Sequence, residues 1–287
     1  MVIYINGNYF PQDQAKVSVL DRGFLLGDGI FETVRAYDGK IFKLVDHLNR
    51  LFRSAAGIQL SIPHTQEELR GILYQVLEKN ELKDALIRIT ITRGEGEVGS
   101  VLPPSVEPTV VILPRPFAGY PPAFYEKGVK IVTIKNPCPL LSGLGPGIKS
   151  TSFQKNILVK MQAQQKGADD AVLLDGRGYA TEATTSNLFI VKEGRLITPS
   201  LEVGILEGIT RQTVMELAGG QGIAVQEGLL SCEQLHQADE CFLTNTSIEI
   251  MPVVVIDEHF LGSGHPGPLT IFLMKAFREA VKEMIRD

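Results

Sequence analysis

Cysteine is scarce: Cys138, Cys232 and Cys241 are the only three in 287 residues, too few and too oddly numbered for a disulfide framework. No apolar run approaches the roughly 20 residues that a membrane helix needs, so no membrane partner is expected. Basic residues form no sustained run and the net charge is −5, which argues against nucleic acid as a partner. The start, Met1-Val2-Ile3-Tyr4-Ile5-Asn6-Gly7, lacks the basic opening and long apolar core of a signal peptide. A cytoplasmic enzyme or binding protein is the expectation. Internal repeats, low-complexity tracts, a P-loop, G-x-S-x-G and H-E-x-x-H are all missing. The histidines are scattered, which leaves a Ser-His-Asp hydrolase without local support. Cys232, His236 and Cys241 lie close together but match no usual zinc spacing, so no metal site is expected.

What is present is an ordinary globular balance, 44% hydrophobic and 21% charged, in a chain long enough for one large or two medium domains. Asn6-Gly7 between Val2–Ile5 and Asn8–Phe10 is a two-residue hairpin signal, and Asp38-Gly39 hinges a second hairpin. Val17–Leu20 reads as a short strand leading into a glycine-rich loop, Asp21–Gly29. Leu44, Leu48, Leu51, Phe52 and Ala55 share one helix face, and Thr65 with Glu68 opens a capping-box helix running to about Lys79. Ile87, Ile89 and Ile91 alternate with Arg88, Thr90 and Thr92 as a half-buried strand does, and Thr109–Leu113 makes its partner. The breaker-rich stretch Pro114–Pro122 predicts a division into an N-terminal domain 1–113, a linker 114–127 and a C-terminal domain 128–287. The second half holds strands at Val129–Lys135, Ala171–Asp175, Tyr179–Thr184, Asn187–Lys192, Arg195–Thr198, Glu240–Thr244 and Ile250–Ile256. Helices follow Gly208 and span Leu269–Ile285. Hairpins mixed with helices, without regular βαβ alternation, indicate an α+β fold class.

Three short stretches suggest chemistry. Gly145-Pro146-Gly147-Ile148-Lys149-Ser150-Thr151-Ser152 sets one lysine between a glycine-rich approach and a helix that Ser150 or Ser152 caps. An amine just outside a helix N-terminus has its protonated form disfavoured, which suits a nucleophile; a solvated loop lysine has the same local sequence. Gly208-Ile209-Thr210-Arg211 opens a helix in a way that suits a phosphate, as an ordinary capped helix also does. Thr181–Asn187 puts the Glu182 carboxylate among small polar residues, as a plain polar turn does. A further glycine motif, Gly94-Glu95-Gly96-Glu97-Val98-Gly99, fits G-x-G-x-x-G but is followed by Ser100-Val101-Leu102-Pro103-Pro104, which forbids the helix that a dinucleotide site requires.

The motifs together resemble a known family. Phe31-Glu32-Thr33-Val34-Arg35, Gly147-Ile148-Lys149-Ser150, Thr181-Glu182 with Ser186-Asn187-Leu188-Phe189, Leu206-Glu207-Gly208-Ile209-Thr210-Arg211 and Thr244–Ile250 occur in the family's order. The sequence resembles the class IV (fold type IV) aminotransferases that use pyridoxal 5′-phosphate. These are branched-chain aminotransferases, D-amino-acid aminotransferases and 4-amino-4-deoxychorismate lyases. The likeness runs over nearly the whole chain.

The resemblance implies a D-amino-acid-aminotransferase-like fold of two domains with the cofactor in the cleft, in a homodimer whose N-terminal loops complete the partner's site. It implies that Lys149 forms the Schiff base and shuttles the proton between Cα and C4′. By the same likeness Glu182 faces the pyridine nitrogen, Arg50, Ile209, Thr210 and Thr246 hold the phosphate, and Leu206 packs against the ring. Arg50 lies off its helix's apolar face, and its role rests on the match of Asp46–Leu51 to the family.

Substrate residues follow from the likeness less directly. Phe31 and Ser247 are expected to line the substrate site, and Arg22, Arg35 and Arg93 are candidate carboxylate clamps that serve equally well as structural salt bridges. Arg22 is expected to act across the dimer interface. The substrates are an amino acid and a 2-oxo acid, branched-chain-like or of D type. Against the first stand Thr33 where those enzymes carry glycine and Gln154 where they often carry tyrosine. Against the second stands Arg93-Gly94-Glu95 in place of Arg-x-His. Thr33 is shared with the lyases, where it assists catalysis. The alternatives are therefore a 4-amino-4-deoxychorismate lyase and, from another class, a non-catalytic binding protein on the same scaffold.

Overall fold

The computed structural model describes residues 1–96, 107–135 and 147–286. Much of the Gly94–Gly99 motif, the Ser100–Pro104 run after it and most of the loop before Lys149 lie outside the described residues. The chain divides into two compact units. One comprises Met1–Ala118 and Ile148–Phe153 with the C-terminal residues from Met284, the other Gly119–Gly147 and Gln154–Glu283. The division falls after Ala118 rather than at Leu113. The short piece carrying Lys149 belongs to the first unit and not, as the sequence suggested, to the domain that follows the linker.

In the first unit, strands β1 (Val2–Ile5), β2 (Asn8–Pro11), β3 (Gly29–Tyr37), β4 (Lys40–Ile41), β5 (Ala85–Thr92) and β6 (Thr109–Pro116) form one sheet. Its order is β2-β1-β6-β5-β3-β4 and every pairing is antiparallel. The β1–β2 hairpin turns at Asn6 and Gly7, both with positive φ (45° and 87°), as a two-residue turn between twisted strands demands. The alternation of β5 puts Ile87, Ile89 and Ile91 on one face with Ile30, Val34 and Ala36 of β3. Against that face pack helices α2 (Leu44–Gly57), through Leu48, Leu51 and Ala55, and α3 (Gln66–Lys79), through Leu69, Leu73 and Val76. Thr65 caps α3: its side chain accepts from Glu68 N, and the Glu68 carboxylate accepts from Thr65 N at 2.7 Å. The capping box therefore forms as read.

Two expectations fail here. Val17–Leu20 is not a strand: it lies on the surface, with Val19 70% exposed, and its backbone turns through the bond from Asp21 N to Ser18 O. The glycine-rich stretch after it contains a short helix, α1 (Arg22–Leu26), capped by the Asp21 carboxylate and ended by Gly27 in the left-handed region. Further on, β6 runs through Pro114 to Pro116, inside the stretch read as linker. Its pairing with β1 involves only Val111 and Ile112, so the prolines lie where strand pairing comes from β5 alone.

The second unit opens with helix α4 (Pro122–Lys127), also within the expected linker, and β7 (Val129–Lys135). Then come α5 (Gln154–Gln165), β8 (Asp170–Leu174), β9 (Tyr179–Ala183), β10 (Asn187–Lys192), β11 (Arg195–Pro199), α6 (Ile209–Gly220), β12 (Val225–Gly228) and β13 (Leu230–Ser231). The chain ends with α7 (Cys232–His236), β14 (Glu240–Asn245), β15 (Glu249–Ile256), β16 (His259–Phe260) and α8 (Pro268–Arg286). The strands make one ten-stranded mixed sheet, ordered β12-β11-β10-β14-β15-β7-β8-β9-β13 with β16 on β15. Strand β7 runs parallel to both β15 and β8. Ile131, Val172, Leu188, Ile190 and Leu243 fill the core on this sheet, and Phe189 stacks on Phe242 at 5.0 Å. Helices and mixed sheets in this arrangement make the chain an α+β protein.

Candidate active site

Lys149 is held by main-chain bonds to β3. Phe31 N donates to Lys149 O at 2.9 Å, Thr151 N donates to Gly29 O at 2.9 Å, and Ile30 and Ser150 form a bridge. Behind it, Lys149 N donates to Ser54 Oγ of α2 at 3.3 Å. The hydroxyls of Thr151 and Ser152 donate to Gly27 O at 2.8 and 3.1 Å, fastening the strap to the end of α1. The sequence placed this lysine at a helix N-terminus, but α5 begins only at Gln154. A helix dipole acts within its own first turn, so strand-like pairing and not the dipole sets the position of Lys149. Its Nζ stands 4.7 Å from the centre of the Phe31 ring, which also packs edge-to-face with Phe153, centroids 5.8 Å apart.

On the other face of β3, one charged residue is in phase with the core. Glu32 is fully buried, and its carboxylate accepts from Arg50 Nε at 2.6 Å, Arg50 Nη2 at 3.0 Å and Thr33 N at 3.1 Å. His47 Nδ1 lies 3.0 Å from the same carboxylate, which as an acceptor makes Nδ1 the protonated nitrogen. Burial by itself would raise the Glu32 pKa. The Arg50 charge and the His47 and Arg50 hydrogen bonds outweigh it and hold the carboxyl well below the usual range. Burial lowers the His47 pKa; the Glu32 bond and charge resist, while the Arg50 and Lys149 charges add to the lowering. Glu32 thus ties down the guanidinium that the family resemblance alone gives to the phosphate, and the motifs had given Glu32 no role.

In the second unit, α6 begins at Gly208, and no side chain caps it. Ile209 and Thr210 are buried there, so the first N–H groups of a twelve-residue helix point into a buried place without a side-chain acceptor. A Cβ at Gly208 would collide with the Asn187 amide oxygen, so the glycine permits a close approach. Asn187 Nδ2 donates to Leu206 O at 2.8 Å, and Leu206 N donates to Glu182 Oε2 at 3.1 Å. The turn after β14 is built on Asn245, whose Oδ1 accepts from Ser247 N, Ser247 Oγ and Ile248 N at 2.8, 2.9 and 2.9 Å. That leaves Thr246 half-buried at its crest. Among the described residues, Thr244 Oγ1 beside this turn is buried with no hydrogen-bond partner.

The candidate clamps separate. Arg22 and Arg93 both give Nε to Asp28 Oδ2, at 3.0 and 2.9 Å. Arg93 also donates to the carbonyls of Gln59 and Ile58, at the end of α2. Both arginines thus make a structural ion pair with the same carboxylate within the unit. Arg35 is buried and lies over the Tyr37 and Phe117 rings at 4.3 and 5.0 Å. Thr33 is half-buried and lies opposite Arg88 in register.

Residues 29–256 match the family model for amino-transferase class IV. A protein of Methanocaldococcus jannaschii provisionally named a branched-chain-amino-acid aminotransferase is 40% identical over 97% of this chain and 96% of its own. The D-alanine aminotransferase of Staphylococcus haemolyticus is 34% identical over 98% of each. Among solved structures, a T.th. branched-chain amino acid aminotransferase with pyridoxamine 5′-phosphate superposes with a TM-score of 0.91 at 33% identity, covering 98% of this chain and 93% of that one. The 4-amino-4-deoxychorismate lyase of Pseudomonas aeruginosa superposes with 0.81 at 29% identity, covering 96% and 98%. The chain belongs to the class IV aminotransferases, a family that depends on pyridoxal phosphate, and it has their type IV fold.

The residues present suit such a cofactor. An uncapped, buried helix N-terminus at Ile209 and Thr210 and a bare hydroxyl at Thr244 match a phosphate. Within the second unit, a carboxylate oriented by a main-chain N–H, Glu182, suits a ring nitrogen that must keep its proton; within the first, Lys149 carries an amine of the kind a Schiff base needs.

Proposed function

We propose that the protein is a pyridoxal-phosphate-dependent transaminase that moves an amino group from an amino acid to a 2-oxo acid, with Lys149 as its reacting amine. When bound, the cofactor supplies the electron sink that makes the substrate Cα acidic. Lys149 Nζ would anchor the cofactor and, as a free amine, would act as the base that takes the proton from the substrate Cα. Glu182, steadied by Leu206 N–H, would hold the proton on the ring nitrogen. Arg50, Thr246 and the N–H groups at Ile209 and Thr210 would hold the phosphate, and Leu206 would pack against the ring. Phe31, Thr33, Arg35 and Ser247 surround the substrate.

The observation that carries this reading is the fastening of Lys149 to β3 beside Phe31, inside the family's own motifs. Borohydride reduction followed by peptide mapping tests it. The label is expected on Lys149, and Lys149→Ala should lose both the yellow absorbance near ~410 nm and about 10³-fold or more of the rate. A label on another peptide, or none, ends the proposal and leaves the binding-protein alternative.

Branched-chain and D-alanine transamination both have relatives behind them, and a panel of L- and D-amino acids with 2-oxoglutarate or pyruvate decides the donor. The lyase alternative is favoured by Thr33, which lies beside Arg88 on the face that carries Lys149. Release of 4-aminobenzoate without an amino acceptor would select it. The reading includes a cytoplasmic homodimer. Val19, Phe24 and Leu26, at 70, 72 and 57% exposure, are large apolar side chains that a second copy would cover. Among the described residues no helix is long and apolar enough to cross a membrane.

A further inference from the structure

The sequence places Asn245 inside the Thr244–Ile250 motif without giving it a task. In the structure it ends β14, opposite Glu249 of β15, and both ends of its side-chain amide are engaged. Oδ1 accepts the three bonds from Ser247 and Ile248 that build its own turn. Nδ2 faces the other way and donates to Thr185 O at 3.2 Å and Ser186 Oγ at 2.9 Å, in the turn between β9 and β10. Main-chain N–H groups at one end and a carbonyl at the other admit one orientation of the amide. A single side chain therefore joins two turns that lie 60 residues apart in the chain.

What the two turns carry gives that link its meaning. Thr246 and Ser247 lie on the first. The second connects Glu182, on β9, to Asn187, the first residue of β10, whose amide donates to Leu206 O. Asn156 Nδ2 donates to Thr184 O, and Thr184 Oγ1 donates to Asp170 Oδ1, both at 2.6 Å. Those bonds hold the second turn to α5 and β8, and the bonds from Asn245 hold it to the Thr246 turn. Ser186 is buried, so the contact made by its hydroxyl is shielded from competing water.

We propose that Asn245 is a positioning residue that sets the phosphate end of the cofactor site against its ring end, by fixing the Thr246 turn to the connection between Glu182 and Asn187. This rests on the reading of Thr246 as a phosphate ligand and of Glu182 as the partner of the ring nitrogen. Asn245 acts through Ser247, Thr185 and Ser186. The cofactor is a rigid ring with its phosphate on a short arm, so both sets of contacts form together only at one separation. An amide bonded to both turns sets that separation before the cofactor arrives, and less ordering is then left to binding.

The test uses the full chain and the variants Asn245→Ser, Ser186→Ala and the two combined. Pyridoxal 5′-phosphate and pyridoxal, which has the ring but no phosphate, are titrated into each by absorbance. A serine at 245 can still cap its own turn but is too short to reach Thr185 and Ser186. Ser186→Ala removes one bond from the far side and leaves the bonds to Asn245 Oδ1 in place. For Asn245→Ser, half-saturation is expected to rise about 10-fold for pyridoxal 5′-phosphate and about 3- to 10-fold for pyridoxal; Ser186→Ala should raise both about 3-fold. The combined variant should bind as Asn245→Ser does, because the bond is already lost. A rise for pyridoxal 5′-phosphate alone overturns the proposal, since Asn245 then shapes only its own turn. So does a combined loss equal to the product of the single losses, or unchanged binding of both compounds by Ser186→Ala, which decides the matter if Asn245→Ser does not fold. An unsubstituted protein that takes up neither compound and no borohydride label fails instead the reading beneath the proposal.

Discussion

In the first unit Arg50 is prepared by buried charge, whereas the polar groups of the second unit are prepared by main-chain geometry. Beneath β3, Glu32, His47 and Arg50 form a dry cluster in which a carboxylate takes bonds from an imidazole, a guanidinium and a peptide N–H. In the second unit, Glu182 is steadied by Leu206 N–H, Asn187 by Leu206 O, and the Thr246 turn by three bonds to the Asn245 amide oxygen. Buried charges hold position stiffly but at high stakes, because each depends on its partner. Main-chain bonds put less at risk, and they depend on small residues that let the backbone come close. The two units should therefore fail differently when disturbed.

The largest effect is expected from Glu32→Gln. It leaves the Arg50 guanidinium buried without its counter-charge, and breaking a buried pair on one side costs about 3–5 kcal/mol. Urea unfolding would show this as a lower midpoint, and the cofactor should dissociate more readily because Arg50 is no longer held. If the midpoint and cofactor retention both match the parent protein, the first unit does not rest on charge as argued.

Gly208→Ala probes the other side of the comparison and should cost less. The glycine has φ of −73°, so the backbone accepts alanine, but the new Cβ meets the Asn187 amide oxygen. Crowding of that kind costs about 1–3 kcal/mol. Asn187 must move, carrying its bond to Leu206 with it, and the pyridoxal phosphate needed for half-saturation should rise about 10-fold. Equal saturation curves would show that the close approach at α6 has no part in holding the phosphate.

Much of this was legible in the sequence where the signal was local. Thr65 and Glu68 announced α3, Asn6-Gly7 announced the first hairpin, and the isoleucines of β5 named the core face. Where partners are far apart in the chain, the sequence was quiet. Nothing near Lys149 says that it pairs with β3, and Val17–Leu20 had a strand's composition without a strand to pair with. Glu32 offered a signal that motif reading passed over. It falls in phase with Ile30, Val34 and Ala36, so it points into the core and requires a cation there. His47, Arg50 and Ser54 lie at helical spacing beside the apolar stripe of α2, and all three are buried. A charged residue in phase with a core strand, read together with a basic stripe on the next helix, would have found the cluster and explained why Arg50 is not solvated.

The smallest effect is a dependence on pH that only the first unit should show in mildly acidic solution. His47 has an ordinary pKa of 6.5 and is held lower in the fold, chiefly by burial; Glu32, ordinarily at 4.5, is held lower by Arg50 and His47 against its burial. In each case the unfolded chain binds the proton more readily, so acid favours unfolding. The stability that neutral His47 contributes is complete above 6.5 and declines as pH falls through and below that value. The contribution of Glu32 is complete above 4.5 and declines below it. Urea midpoints should therefore be level from about pH 8 to 7, fall gently below the histidine range, and fall more steeply once carboxyl groups protonate. His47→Asn should remove the first decline and leave the second. A midpoint that stays level down to about pH 5.5 in the parent protein would mean that His47 titrates alike in folded and unfolded chains, and that the cluster beneath β3 is wetter than its bonds imply.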